Sequence, residues 1–203
     1  TRLTEALLTG SASIYHSLRC AVALANHLDD PQPEWELSLG RLGHAISDHP
    51  ESFTEKPYHS MDWYYPILGG AVRGRAATAR ITRRWDDFVV DGLGIRCVSD
   101  RPWVTGAETC ELVLALDAMG DRRRATEQFS AMQHLRESAG SYWTGLVFAD
   151  GKRWPVERTT WTGAAVILAA DALSSTTGGS GIFRGAELPR GLEADYDCEC
   201  VRN

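Results

Sequence analysis

The sequence predicts an all-α fold, an (α/α) toroid in which helical hairpins stack into a ring or barrel. Three observations predict it. Residues 13–28, 111–119 and 162–173 are apolar nearly all round, and a helix without a polar face is a buried one. The segments between them carry one apolar stripe each, at helical spacing: Trp35, Leu39, Leu42 and Ile46; Ala77, Ile81, Trp85 and Phe88; Ala125, Phe129, Met132 and Leu135. The breaks are short, and short links make antiparallel hairpins. Buried and covering helices that alternate in this way describe an inner ring wrapped by an outer one.

In chain order, residues 13–28 form the first inner helix, stopped by Asp29-Asp30-Pro31, and the Trp35 stripe covers it. Pro66 is tolerated in a first helical turn, so residues 63–72 open a second inner helix, with Gly69-Gly70 and Gly74 at its end. The Ala77 stripe covers that one. Gly120-Asp121 separates the inner helix around residues 111–119 from the Ala125 stripe, and residues 162–173 supply the last inner helix. A weak repeat opens three buried helices: Thr9-Gly10-Ser11-Ala12, Thr105-Gly106-Ala107-Glu108 and Thr162-Gly163-Ala164-Ala165. Residues 1–174 are thus read as the toroid domain. Its inner helices are too few for a closed double ring of roughly six or seven hairpins, so the expectation is a later portion of such a ring, with further hairpins preceding Thr1. Residues 175–203 read as a tail, Gly/Ser-rich through Gly178-Gly179-Ser180-Gly181 and then acidic.

With 203 residues and 43% hydrophobic content, the chain is long enough for one sizeable core. A net charge of -6 without any basic run argues against nucleic acid or an anionic membrane as the partner. No apolar run approaches the ~20 residues of a membrane span and no signal-peptide layout follows Thr1, so the expected location is cytoplasmic. Five cysteines without a Cys-x-x-Cys pair indicate neither a disulfide framework nor a zinc site. Cys20 and Cys110 sit in apolar runs as small core residues. No metal or other cofactor is expected.

Inner helices of a ring run parallel, so the loops feeding their N-termini converge on one face. Those loops are residues 60–66, 101–108 and 141–161, and they hold five of the seven tryptophans: Trp63, Trp103, Trp143, Trp154 and Trp161. Sugar rings offer flat apolar faces and hydroxyls, which suit aromatic platforms with a few oriented polar groups. The five tryptophans with Tyr64 and Tyr142 are the expected platforms, and His59, Glu157 and Arg158 the polar contacts. Cleaving a glycosidic bond also needs two carboxyl groups facing across the groove. Glu108 is the expected general acid, desolvated by Trp103 and Ala107, and Asp62 the expected partner. Structural readings compete at each position. Glu108 in a first helical turn is also a helix-start residue, and Asp62 an N-cap before Trp63. Glu157 is also an ion-pair partner for Arg153 or Arg158. Arg101 is a further sugar or carboxylate contact, His16 and His59 serve in packing as readily as in binding, and Asp86-Asp87 reads as a solvated helix end.

Two resemblances add to this. Arg124-Ala125, Phe129, Gln133 and Gly140-Ser141-Tyr142-Trp143 resemble the QW-type repeat of terpenoid cyclases and prenyltransferases, although their Asp-x-Asp-Asp and Asp/Cys/His zinc signatures are absent. More of the chain, residues 60–70, 85–116 and 142–173, resembles an actinobacterial family of helical-toroid proteins. Its carriers are Met61-Asp62-Trp63-Tyr64-Tyr65-Pro66, Trp103-Val104-Thr105-Gly106-Ala107-Glu108-Thr109 and Trp154-Pro155-Val156-Glu157. The resemblance implies an endo-mannosidase acting on methylated α-1,4-mannose polysaccharides, with an oligo- or polysaccharide as substrate and further acidic residues N-terminal to this stretch. The alternatives are an isoprenoid enzyme holding a polyene in the same aromatic groove and a non-catalytic glycan-binding module. A homo-oligomer is compatible with each.

Overall fold

The computed structural model describes residues 5–192. Helices α1 (Leu8–His27) and α2 (Pro33–Asp48) form an antiparallel hairpin, followed by α3 (Ser60–Leu68), α4 (Gly74–Arg83) and the short α5 (Trp85–Phe88). Strands β1 (Val89–Val90), β2 (Gly94–Arg96) and β3 (Trp103–Thr105) lead into α6 (Gly106–Ala118), α7 (Arg122–Ala131) and a 3₁₀ turn, Met132–Leu135. Strands β4 (Gly145–Val147) and β5 (Lys152–Arg153) precede α8 (Thr160–Ser174).

The expectation of an all-α toroid is corrected here. Five short strands form one antiparallel sheet in the order β1-β2-β3-β4-β5, so the fold mixes helices with a sheet. Segments read from sequence as irregular loops pair with each other: Val104 lies opposite both Arg96 and Leu146, and Leu146 opposite Arg153. The cause is backbone satisfaction. The approaches to α6 and α8 run past each other, and antiparallel pairing supplies partners for N–H and C=O groups that would otherwise be buried without them.

The periodic stripes do become helices. Trp35, Leu39, Leu42 and Ile46 fall on α2, whereas the stripe from Ala77 to Phe88 is divided at Arg84 into α4 and α5, and the stripe from Ala125 ends in a 3₁₀ turn. Helix α6 is the centre of the larger core, buried without interruption from Thr109 to Asp117 and packed against α3, α7 and α8. Helices α1 and α8 depart from the fully buried expectation. Each buries one face and exposes apolar residues on another, among them Ile14, Leu24, Ile167 and Leu168. Gly106 permits a close approach of α6 and α8, since a Cβ there would lie 2.9 Å from Thr162 Cγ2.

Pro66 sits inside α3 and has no N–H to give the Asp62 carbonyl. Arg80 replaces it, donating Nη2–H to Asp62 O at 2.6 Å and Nε–H to Trp63 O at 2.8 Å. The segment read as the start of a tail is fastened down as far as it is described. Arg19 donates to the carbonyls of Gly185, Leu188 and Pro189, Phe183 stacks on His16 at 5.1 Å, and Leu192 N–H bonds Glu36 O. The acidic part of that segment, with Cys198 and Cys200, lies outside the described residues. Cys20, Cys97 and Cys110 are unbridged, and among the described residues no helix is long and apolar enough to cross a membrane.

Candidate active site

The start of α6 is held rigidly. Thr105 ends β3 and Gly106 begins the helix, its N–H bonded to Thr144 O at 3.0 Å, while Thr109 Oγ1 donates to Thr105 O at 2.5 Å and accepts from Ile95 N–H at 3.0 Å. The sheet thereby fixes where the first turn of α6 points. That turn carries Glu108, half-buried. Glu111, three residues on, projects from the same face.

Glu111 is buried, and two neighbouring phenols of α3 hold it. Tyr64 OH donates to Oε2 at 2.6 Å and Tyr65 OH to Oε1 at 3.1 Å. Burial pushes its carboxyl up to about 7, opposed by the Tyr64 hydrogen bond, reinforced by the charge of Glu108 and opposed again by Tyr65. Cys97, just after β2, hydrogen-bonds Glu108, and burial together with that carboxylate pushes its thiol up. The protonated thiol is therefore a donor to Glu108, not a nucleophile. Tyr64 is raised in the same manner, first by burial and then by Glu111.

Glu111 also forms part of the wall of a cavity of about 390 Å³ between α1, α3, α6 and α8. The other walls are mostly apolar, from Tyr65, Leu68, Leu114, Trp161, Leu168 and Phe183. Other hollows lie elsewhere. One of about 1100 Å³ opens beside α5 and α7 among charged residues such as Asp86, Arg122 and Glu127, and one of about 400 Å³ contains Asp62 and Arg80. The largest is an open depression with no buried acid, so the acid-walled cavity is the better candidate.

The residues expected to form one groove separate into several groups. Asp62 is occupied structurally: Thr9 Oγ1 donates to Oδ1 at 2.5 Å and the Lys56 N–H to Oδ2 at 3.2 Å. Trp63 is 2% exposed, stacked on Phe88 at 5.2 Å and bonded through Nε1 to Arg80 O, which makes it a core residue. Tyr64 is fully buried and reaches Glu111 rather than solvent. Trp103 turns to Trp154 in an edge-on contact of 4.7 Å and donates to its carbonyl, so it does not serve as the expected cover for Glu108. The side chain of Trp154 is exposed beside a hollow shared with Arg101 and Pro102.

Arg158 lies over the Trp143 ring and pairs with Glu137 at 2.6 Å. Arg153 donates to His134 O, so neither arginine takes up Glu157, whose carbonyl accepts from Thr144. Tyr142 OH donates to Gln133 Oε1, and His59 is exposed at the head of α3, bridged to Val98. Trp161 alone of the predicted platforms lines the acid-walled cavity. Glu111, Tyr65 and Cys97 were missed by sequence reasoning. The available signal was a carboxylate three residues beyond Glu108, heading an otherwise apolar run. Among the described residues no group of three or more His, Cys, Asp or Glu side chains is placed to hold a metal ion.

No protein-family profile matches the chain. The sequence is similar to the MMP endo-(1,4)-3-O-methyl-alpha-D-mannosidase of Mycolicibacterium hassiacum. The two are 76% identical over 197 residues, 97% of this chain and 55% of that protein. The chain thus spans about half the length of this curated relative. At such identity the matched stretch is homologous to the mannosidase, and the resemblance drawn from the motifs at residues 61–66, 103–109 and 154–157 is borne out. The QW-type likeness to prenyltransferases receives no such support.

Proposed function

We propose that this chain is part of an endo-acting glycoside hydrolase for α-1,4-linked, 3-O-methylated mannose chains, with Glu108 as its general acid. One observation carries the reading: two carboxyls, Glu108 and Glu111, stand one turn apart on the central helix, and Glu111 lines an aromatic-walled cavity. The 76% identity to a protein of that activity supplies the substrate class.

Two carboxylates one helical turn apart resist ionising together, so near neutral pH the pair retains a proton. Glu111 is fixed by two phenols and stays within the wall. Glu108 is half-buried, reachable, and oriented by the Cys97 thiol, so it is the member able to protonate a leaving glycosidic oxygen. The second carboxyl of the mechanism would activate water or attack the sugar. Asp62 suits that task poorly because both its oxygens are engaged, and we assign the task to the part of the enzyme that the matched stretch does not span.

The test is to incubate the full-length enzyme, as wild type and Glu108→Gln, with 3-O-methylated α-1,4-mannooligosaccharides and follow product masses. The expected outcome is shorter oligosaccharides from the wild type and a rate lower by about 10²–10⁴-fold in the variant, the usual contribution of a positioned acid. Equal cleavage by both would remove Glu108 from the mechanism, and an intact substrate in both would remove the hydrolase reading.

A further inference from the structure

A cavity of about 390 Å³ is within the range of small-ligand sites, and most of its polar groups have partners, with His16 Nδ1 the exception. Ser13 Oγ donates to Thr9 O and Ser17 Oγ to Ser13 O. Both oxygens of Glu111 accept from phenols. His16 stacks on Phe183, and burial, with the nearby charge of Arg19, pushes its imidazole below the usual value and keeps it neutral. A sugar hydroxyl entering this space would give up hydrogen bonds to water and find few in return. A methyl ether has no O–H to satisfy and carries an apolar group that gains from leaving water.

The walls suit such a group. Trp161 offers a ring face at the rim, and Leu168, Leu114 and Phe183 supply aliphatic and aromatic surface around it. Trp161 and Leu168 stay 61% and 45% exposed without a ligand, so contact with an occupant would remove apolar area from water. Glu111 in the wall stands one helical turn from Glu108, which does not itself line the cavity. A methylated residue seated here would belong to the same oligosaccharide whose leaving oxygen Glu108 would protonate.

We propose that the cavity between α1, α3, α6 and α8 is the subsite that receives an O-methyl group of the mannose chain, with Leu168 and Trp161 reading its presence. This rests on the mannosidase reading above and adds to it the place where methylation is recognised. The preference is a property of the cavity wall and should be measurable as binding, apart from turnover.

The experiment titrates the full-length enzyme, in a Glu108→Gln background that keeps the probes intact and serves as the wild-type cavity, with a 3-O-[¹³C]methyl α-1,4-mannotetraose and its unmethylated counterpart, following affinity by calorimetry and the probe methyl signal by NMR. Wild type is expected to bind the methylated probe about 10-fold more tightly, the lower end for one methyl-sized group in an apolar pocket. The methyl resonance should move upfield under the Trp161 and Phe183 rings. Leu168→Asn places a polar group on an exposed wall position and should abolish the preference, whereas Leu168→Met should keep it. Trp161→Ala should remove most of the upfield shift. Equal affinity of wild type for both probes, or a preference that survives in both Leu168→Asn and Trp161→Ala, overturns the subsite and leaves the mannosidase reading standing. Binding of neither probe overturns both.

Discussion

Helices α3 and α6 each carry a carboxylate in the first turn, and the fold surrounds the two differently. Asp62 on α3 and Glu108 on α6 look equivalent in sequence, each beside aromatic residues at a helix start. Asp62 spends its oxygens on Thr9 and the Lys56 amide, so it ties α1 and the preceding loop to α3. Glu108 meets a thiol and lies one turn from a buried acid that its own charge helps to keep protonated. The difference teaches that a carboxylate's use is decided by what the rest of the fold offers it. Donors on both oxygens tie Asp62 to its neighbours, whereas Glu108 has a second, buried acid one helical turn away.

The largest effect expected to sharpen this contrast in stability belongs to Glu111. Its folded value of about 7 lies above its ordinary 4.5, so between those values the native state binds more protons than the unfolded one. Stability should therefore be greatest below about pH 4.5 as far as this group is concerned, fall as pH rises through 7, and then level off, by about 3 kcal/mol in all. Chemical denaturation of wild type and Glu111→Gln across that range checks it. The slope should flatten in the variant, and an unchanged slope would mean that Glu111 is not the proton carrier.

A smaller effect is expected at Asp62. Replacing it by Ala removes two acceptor contacts and should lower stability by about 1–2 kcal/mol, in the range for hydrogen bonds to a charged group that is partly exposed. The loss should appear in the denaturation midpoint and leave the pH dependence of turnover in place. A variant of wild-type stability whose turnover collapses would restore Asp62 to the chemistry and break the comparison.

Much of the helical framework was legible because periodicity reports burial directly. Leu39 and Ile46, Ala77 and Ile81, and Ala125 with Met132 and Leu135 all point into a core as their spacing predicts. The sheet was not legible. Its strands are two or three residues long, too short for a two-residue period to register, and their pairing joins segments on either side of α6 and α7. The apolar character of α1 and α8 misled differently, since composition alone does not say which face meets solvent.

At the site, Glu108 was visible as an acid opening a buried helix. The cluster at residues 61–66 drew attention for aromatic content that serves packing: Trp63 is in the core and Tyr64 reaches inward. Glu111 was hidden because its importance depends on two phenols from α3, a tertiary contact 46 and 47 residues away in sequence. Cys97 was hidden for the same reason, since the bridge between His59 and Val98 and the Ser60 N–H bond to Cys97 O draw its segment alongside α3.

The central claim is that Glu108 and Glu111 act as one proton-sharing pair. The most direct test is the pH profile of oligosaccharide cleavage by the full-length enzyme, as wild type and Glu111→Gln. The account predicts a wild-type alkaline limb near pH 7, where the buried acid titrates, and a limb that moves away from pH 7 in the variant, where the group that titrates there is gone. A limb that stays in place when Glu111 is neutralised would contradict the coupling and leave Glu108 without its partner.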